Sequence, residues 1–189
     1  MQMDYYRITD NIHAQGRWRL GQITSDSCQV DDWNFTTGTP HDLTTPLSVM
    51  AEKGYSSDFT LADFDVPIIS SVVASILLPI AKDDVQIIPV KTEGAGAHDG
   101  DWFILNALSL MPCIDEQKSM FTKWSASDGR PDKTGQYRMV PKLIVDENKA
   151  DAKHLIRIEG WDVPLIVSSV IKAEFENAGV KGAVFKKVS

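Results

Sequence analysis

The sequence predicts an α+β fold, mostly antiparallel sheets with two main helices, built around a repeated strand-turn-helix-strand unit. Three observations predict it. Short runs rich in β-branched and aromatic residues recur along the chain, bounded by Gly, Pro, Asn and Asp, as strands require. Two stretches carry the helical spacing of apolar residues. Both helices follow the same phrase, "DFDVPIISSVV" from Asp63 and "GWDVPLIVSSVI" from Gly160.

Taken in order, "YYRI" (5–8) and "RWRLGQI" (17–23) read as strands. Residues 24–48 hold Ser, Thr, Asp, Gly and Pro in a turn-forming mixture and read as irregular. "PLSVMAE" (46–52) is a further strand. Pro67 is excluded from a helix interior, so it belongs at a turn or a first helical turn. Ser70 or Ser71 then caps a helix over 71–81, with Val72, Val73, Ile76, Leu77 and Ile80 on its core face. "DVQIIPV" (84–90) is a buried strand, "KTEGAGAHDGD" (91–101) a Gly-rich loop, and "WFILNAL" (102–108) the next strand. Residues 110–136 read as mostly irregular, and "SASDGRPDKTGQ" (125–136) as an exposed loop. "YRMVPKLIVD" (137–146) and "KHLIRIEGW" (153–161) are strands. A second helix covers 169–178 and stops at Gly179, and "KGAVFKKV" (181–188) is a last strand.

The two phrases extend beyond their shared letters. Asp65 corresponds to Asp162 at an offset of 97, and so do Phe64 to Trp161, Leu61 to Ile158 and Phe59 to Ile156. Past Val167 the offset is 98, which aligns Ser70 with Ser168, Val73 with Ile171 and Leu77 with Phe175. Self-similarity of this length points to duplication or convergent packing of one unit. The chain is therefore expected to be a single domain, in one body or in two lobes over about 1–109 and 110–189. Asp65, Pro67, Ser70, Asp162, Pro164 and Ser168 are read as its structural turn and cap residues.

Composition narrows the function. With 189 residues and 43% hydrophobic content the chain can bury a sizeable core. No apolar run reaches the ~18 residues of a membrane span. The opening "MQMDYYRITD" has no basic start with an apolar stretch, so a cytoplasmic location is expected. Cys28 and Cys113 are the two cysteines and read as buried thiols. Nineteen Lys and Arg against 26 Asp and Glu give a net charge of −7. That argues against nonspecific nucleic-acid binding and is compatible with a basic protein partner.

No catalytic, cofactor-binding or metal-binding set is assigned. The four histidines are scattered, and His98 with Asp99 and Asp101 in one Gly-rich loop is a weak metal signal. "EGAGAHDGDW" lacks phosphate-loop spacing and runs into a strand instead of a helix. "SDGRPDKTGQYR" gathers Asp128, Arg130, Asp132 and Lys133, which suit either local ion pairs or presentation to a partner. The candidate partner-binding residues are therefore His98, Asp99 and Asp101 in one loop, and Asp128, Arg130, Asp132 and Lys133 in the other.

The succession "FTLADFDVPIISSVVASIL", "DVQIIPV", "CIDEQKS", "RPDKTGQYR" and "IRIEGWDVPLIVSSVIKAEFENAGVKGAVF" resembles an immunity-protein family of bacterial polymorphic toxin systems (family eleven of that series, formerly a domain of unknown function). The resemblance spans about residues 5–188, with little to match in 24–48. It implies an α+β protein that binds and neutralises a toxin encoded nearby, with no catalytic residues to carry over. Two alternatives stay open: a binding or scaffold module outside toxin biology, self-association included, and a small hydrolase built on Asp65 and Asp162.

Overall fold

The computed structural model describes residues 3–26 and 28–189, with the side chains of Cys28, Gln29, Asp32 and Trp33 outside that description. The expected burial of the Cys28 thiol, like any role of the Trp33 indole, therefore lies outside the described residues. Among the described residues the elements follow in the order β1 (Tyr5–Asp10), β2 (Arg19–Ser25), β3 (Cys28–Gln29), β4 (Leu47–Glu52), β5 (Phe59–Leu61), β6 (Pro67–Ser70), α1 (Ser71–Ala81), β7 (Val85–Glu93), β8 (Trp102–Ala107), β9 (Leu110–Met111), β10 (Met120–Lys123), β11 (Tyr137–Lys142), β12 (Leu155–Ile158), β13 (Trp161–Ser168), α2 (Ser169–Asn177) and β14 (Ala183–Lys187). The fold is α+β, as the sequence predicts.

The strands form three sheets. One has seven strands in the order β3-β2-β4-β7-β8-β6-β5, one has five in the order β14-β1-β13-β12-β9, and β10 with β11 makes a two-stranded ribbon. Pairing is antiparallel except for β4 with β7 and β9 with β12. Strand β1 lies between β13 and β14, so an early segment completes a sheet of late ones.

Both phrases lie in antiparallel hairpins, with turns of different length. Phe59 pairs with Ile69 in β5–β6, and 97 residues on Ile156 pairs with Ile166 in β12–β13. Each hairpin runs straight into its helix, at Ser71 and at Ser169. The strand after each helix returns two places over, with β8 or β1 between.

Of the four residues read as turns, Asp65 lies in one, whereas Pro67, Asp162 and Pro164 lie in strands. Asp65 sits in a short 3₁₀ turn with Phe64, both at positive φ (58° and 57°), and Pro67 opens β6. Asp162 and Pro164 instead lie inside β13. The reason is Gly160: its φ of 75° makes the tight turn, so that Ile158 pairs directly with Trp161. Pro164 falls at the register shift of the β12–β13 ladder, where a missing N–H costs little.

The caps also differ. Ser168 Oγ accepts from the Ile171 amide at 3.4 Å and contacts His154 Nδ1 at 2.9 Å. Ser70 makes no cap bond with its side chain. Its hydroxyl donates to Asp58 Oδ1 at 2.9 Å, while Asp58 Oδ2 accepts from the Lys181 amide at 2.9 Å. One carboxylate thus ties the start of α1 to the loop between α2 and β14.

Three apolar cores result from this layout. The central one joins the facing sides of the two large sheets to Val73, Ala74 and Leu77 of α1 and Ile171 and Phe175 of α2. Val72, expected on the core face, is exposed, because Val73, Ala74, Leu77 and Ala81 make up the inward stripe. A second core packs Trp18, Phe35, Trp102 and Ile104 on the far face of the seven-stranded sheet. A third packs Tyr5, Cys113, Ile156 and Ile166 beneath the ribbon. Each fully buried large apolar side chain contributes about 1.5–3 kcal/mol. Residues 110–136, expected to be mostly irregular, contain β9 and β10. Both are too short to show alternation.

Candidate partner-binding site

The ribbon is built from a stretch with few apolar residues, so its order comes from polar contacts. Asp115 starts it: its Oδ1 accepts from the amides of Gln117 and Lys118, closing a local turn. Ser119 then exchanges two hydrogen bonds with Ile144. Phe121, Tyr137 and Val140 face inward onto the third core. Met120 and Met139 face out, 61% and 54% exposed.

The tip, residues 124–136, is closed at its base by Trp124 and Gln136, whose amide and carbonyl pair at 2.9 Å, and by Gly135 donating to the Trp124 carbonyl. Asp128 is its hub. Asp128 Oδ2 accepts from both the amide and the hydroxyl of Ser125 at 2.7 Å, and Oδ1 accepts from Arg138 Nη1 at 3.1 Å. The Ser125 bonds hold its carboxyl below the usual aspartate range. Arg130 chelates Asp132 through Nε at 3.0 Å and Nη2 at 2.8 Å. The Arg138 guanidinium lies 4.7 Å from the Trp124 ring centre.

At the ribbon base, Glu116 Oε1 accepts from Tyr137 Oη at 2.5 Å and from Lys123 Nζ at 2.6 Å. Those two bonds, that of Lys123 foremost, lower the glutamate's pKa. Burial first, and Glu116 second, keeps the Tyr137 phenol protonated well above its ordinary range. Beside this triad opens a cleft of about 910 Å³, bordered by Asp115, Gly135, Asp146 and Glu159. Its carboxylates are largely answered: Lys118 pairs with Asp115 at 2.9 Å and Lys149 with Asp146 at 3.7 Å.

The other candidate loop stands on a different sheet. His98 is half-buried, its amide donating to Thr92 Oγ1 at 2.9 Å and its Nε2 bonding the Gly54 carbonyl at 3.0 Å. Its ring meets Trp18 edge-on. His98 therefore tethers the loop, and Asp99 and Asp101 are left exposed. Asp101 borders a groove with Trp102 and Lys91. The structure brings Asp128, Arg130 and Asp132 together at the ribbon tip with Lys133 beside them. It does not join them to His98, Asp99 and Asp101. Among the described residues no group of three or more His, Cys, Asp or Glu is placed to hold a metal ion.

Sequence reasoning missed a buried cation beside the second phrase. Arg157 of β12 is fully buried, and its Nη1 donates to the carbonyls of Asp162 at 2.6 Å and Val163 at 3.0 Å. Burial lowers its pKa to about 10, against the opposing pull of Asp162 and then Asp65. Its Nε and Nη2 have no partner among the described residues. The second Asp-Val-Pro phrase thus holds a buried cation through two of its backbone carbonyls.

The whole is a sheet framework with one internally bonded, charged hairpin beside it. A family model for immunity proteins matches residues 62–189, that is 128 of the 189. The chain belongs to that family, the Immunity protein family (Imm11). Ribbon, cleft and Arg157 lie within the matched range, whereas β1 to β5 precede it. No curated protein matches the chain significantly.

Proposed function

We propose that this protein neutralises a cognate toxin, encoded beside it, by forming a stoichiometric complex, and that it acts as a binder and not as an enzyme. Membership of an immunity protein family carries the reading. Two exposed, internally bonded loops on a well-packed framework support it, because a preorganised surface loses little entropy on binding. Such a complex covers roughly 800 Å² per partner. The cytoplasm is its place of action in this reading. No helix among the described residues is long and apolar enough to cross a membrane.

The test is co-expression with the neighbouring reading frame. That frame alone should arrest growth, and this protein should restore it and co-elute with the product at a 1:1 ratio. A frame that is harmless, or stays toxic with this protein present, overturns the reading.

A further inference from the structure

Charge is distributed against the chain's overall sign. The segment from Lys118 to Lys142 holds six basic residues (Lys118, Lys123, Arg130, Lys133, Arg138, Lys142) and two acidic ones (Asp128, Asp132). It is net +4 in a chain of net −7. Four of these cations are committed to Asp115, Glu116, Asp132 and Asp128. Lys133 and Lys142 form no ion pair among the described residues. Between the strands, Lys142 stands opposite Met120, and Thr122 opposite Met139. The ribbon therefore shows solvent two methionines with the exposed Lys142 opposite one of them, while Lys133, half-buried, lies at the tip beside Asp132.

We propose that the β10–β11 ribbon is the surface that meets the partner, and that it fits an acidic patch on a protein with an apolar centre. This rests on the immunity reading and adds the sign and place of contact. Exposed methionines adapt to varied apolar surfaces. Rim cations steer encounter and fix orientation, here reinforced by repulsion of the same acidic patch from the rest of an acidic chain. A nucleic acid fits less well. The rings that would stack on bases are taken: Arg138 covers Trp124, Lys123 covers Tyr137, and Phe121 and Tyr137 pack inward.

The test measures association and dissociation rates with the purified product of the neighbouring frame, at ~0.05 and ~0.5 M salt. Lys133→Glu/Lys142→Glu should slow association about tenfold or more and flatten its salt dependence. The milder Lys142→Gln should move in the same direction with less risk to folding. Met120→Ser/Met139→Ser should chiefly speed dissociation. Glu52→Lys/Glu174→Lys, on exposed sites elsewhere, should leave association no slower. Wild-type rates in both lysine variants, or a larger loss in the glutamate control, overturn the proposal alone. Duplex DNA that binds the wild type and is lost with Lys133→Glu/Lys142→Glu puts a nucleic acid on the ribbon and also overturns it. Absence of any complex with the wild type overturns the immunity reading and this proposal with it.

Discussion

Asp58 is the most economical place to test how the two large sheets are held together. Its carboxylate accepts from the Ser70 hydroxyl and the Lys181 amide, both at 2.9 Å. Asp58→Ala removes two hydrogen bonds to a charged acceptor, each about 1.5–3 kcal/mol. It also strands the hydroxyl of Ser70, a residue only 9% exposed. The backbone bond from the Ser70 amide to the Asp58 carbonyl survives, and water can reach the half-buried site, so the low end applies. We expect a loss of about 3 kcal/mol, or roughly 6–12 °C in Tm for a chain of this size. Urea unfolding and calorimetry read it, with Asp42→Ala, an exposed site, as the neutral control. A double-mutant cycle with Ser70→Ala should show coupling above about 1 kcal/mol. A loss under about 0.5 kcal/mol, or no coupling, refutes the idea that this carboxylate staples the sheets.

Three further outcomes are expected from the same geometry. Ser168→Ala should cost about 1 kcal/mol as a lost helix cap, while Ser70→Ala in an Asp58→Ala background should cost far less, because Ser70 does not cap. The Asp128 pKa is depressed from 3.8, chiefly by Ser125. Its contribution is therefore complete above that value and disappears as pH falls through the lower folded one; amide exchange at 125–136, corrected for its intrinsic pH dependence, should rise as the carboxyl titrates, and a tip whose protection does not follow that titration would contradict it. Burial raises the Cys113 thiol to about 11, so iodoacetamide at pH 8 should spare it in the native protein and label it in denaturant. Rapid native labelling of Cys113 would show the third core to be open.

Periodicity made the helices legible: α1 covers Ser71–Ala81 as read from the apolar spacing, and α2 ends within one residue of its expected limit. Partnering was not legible. Nothing in "YYRI" says that it will lie between β13 and β14, because sheet pairing is set by distant chain and not by local propensity. The same letters, Asp-Val-Pro, became turn in one place and strand in the other because Gly160 had already made the second turn. At the tip, Ser125 three residues before Asp128 is a spacing that can be read. The bond from Arg138 back to Asp128 needs the ribbon register, which two irregularities obscure. Arg157 looked like one polar letter in a strand, and only the packed sheet shows that it is sealed in.

The seating of β1 has a kinetic consequence. Tyr6 must find Lys187, and Tyr5 must find Ser168, across nearly the whole sequence. Contacts so distant form slowly. Until they form, β13 and β14 each present a bare edge to any neighbouring chain. A chain whose β1 is not yet seated thus carries two open strand edges.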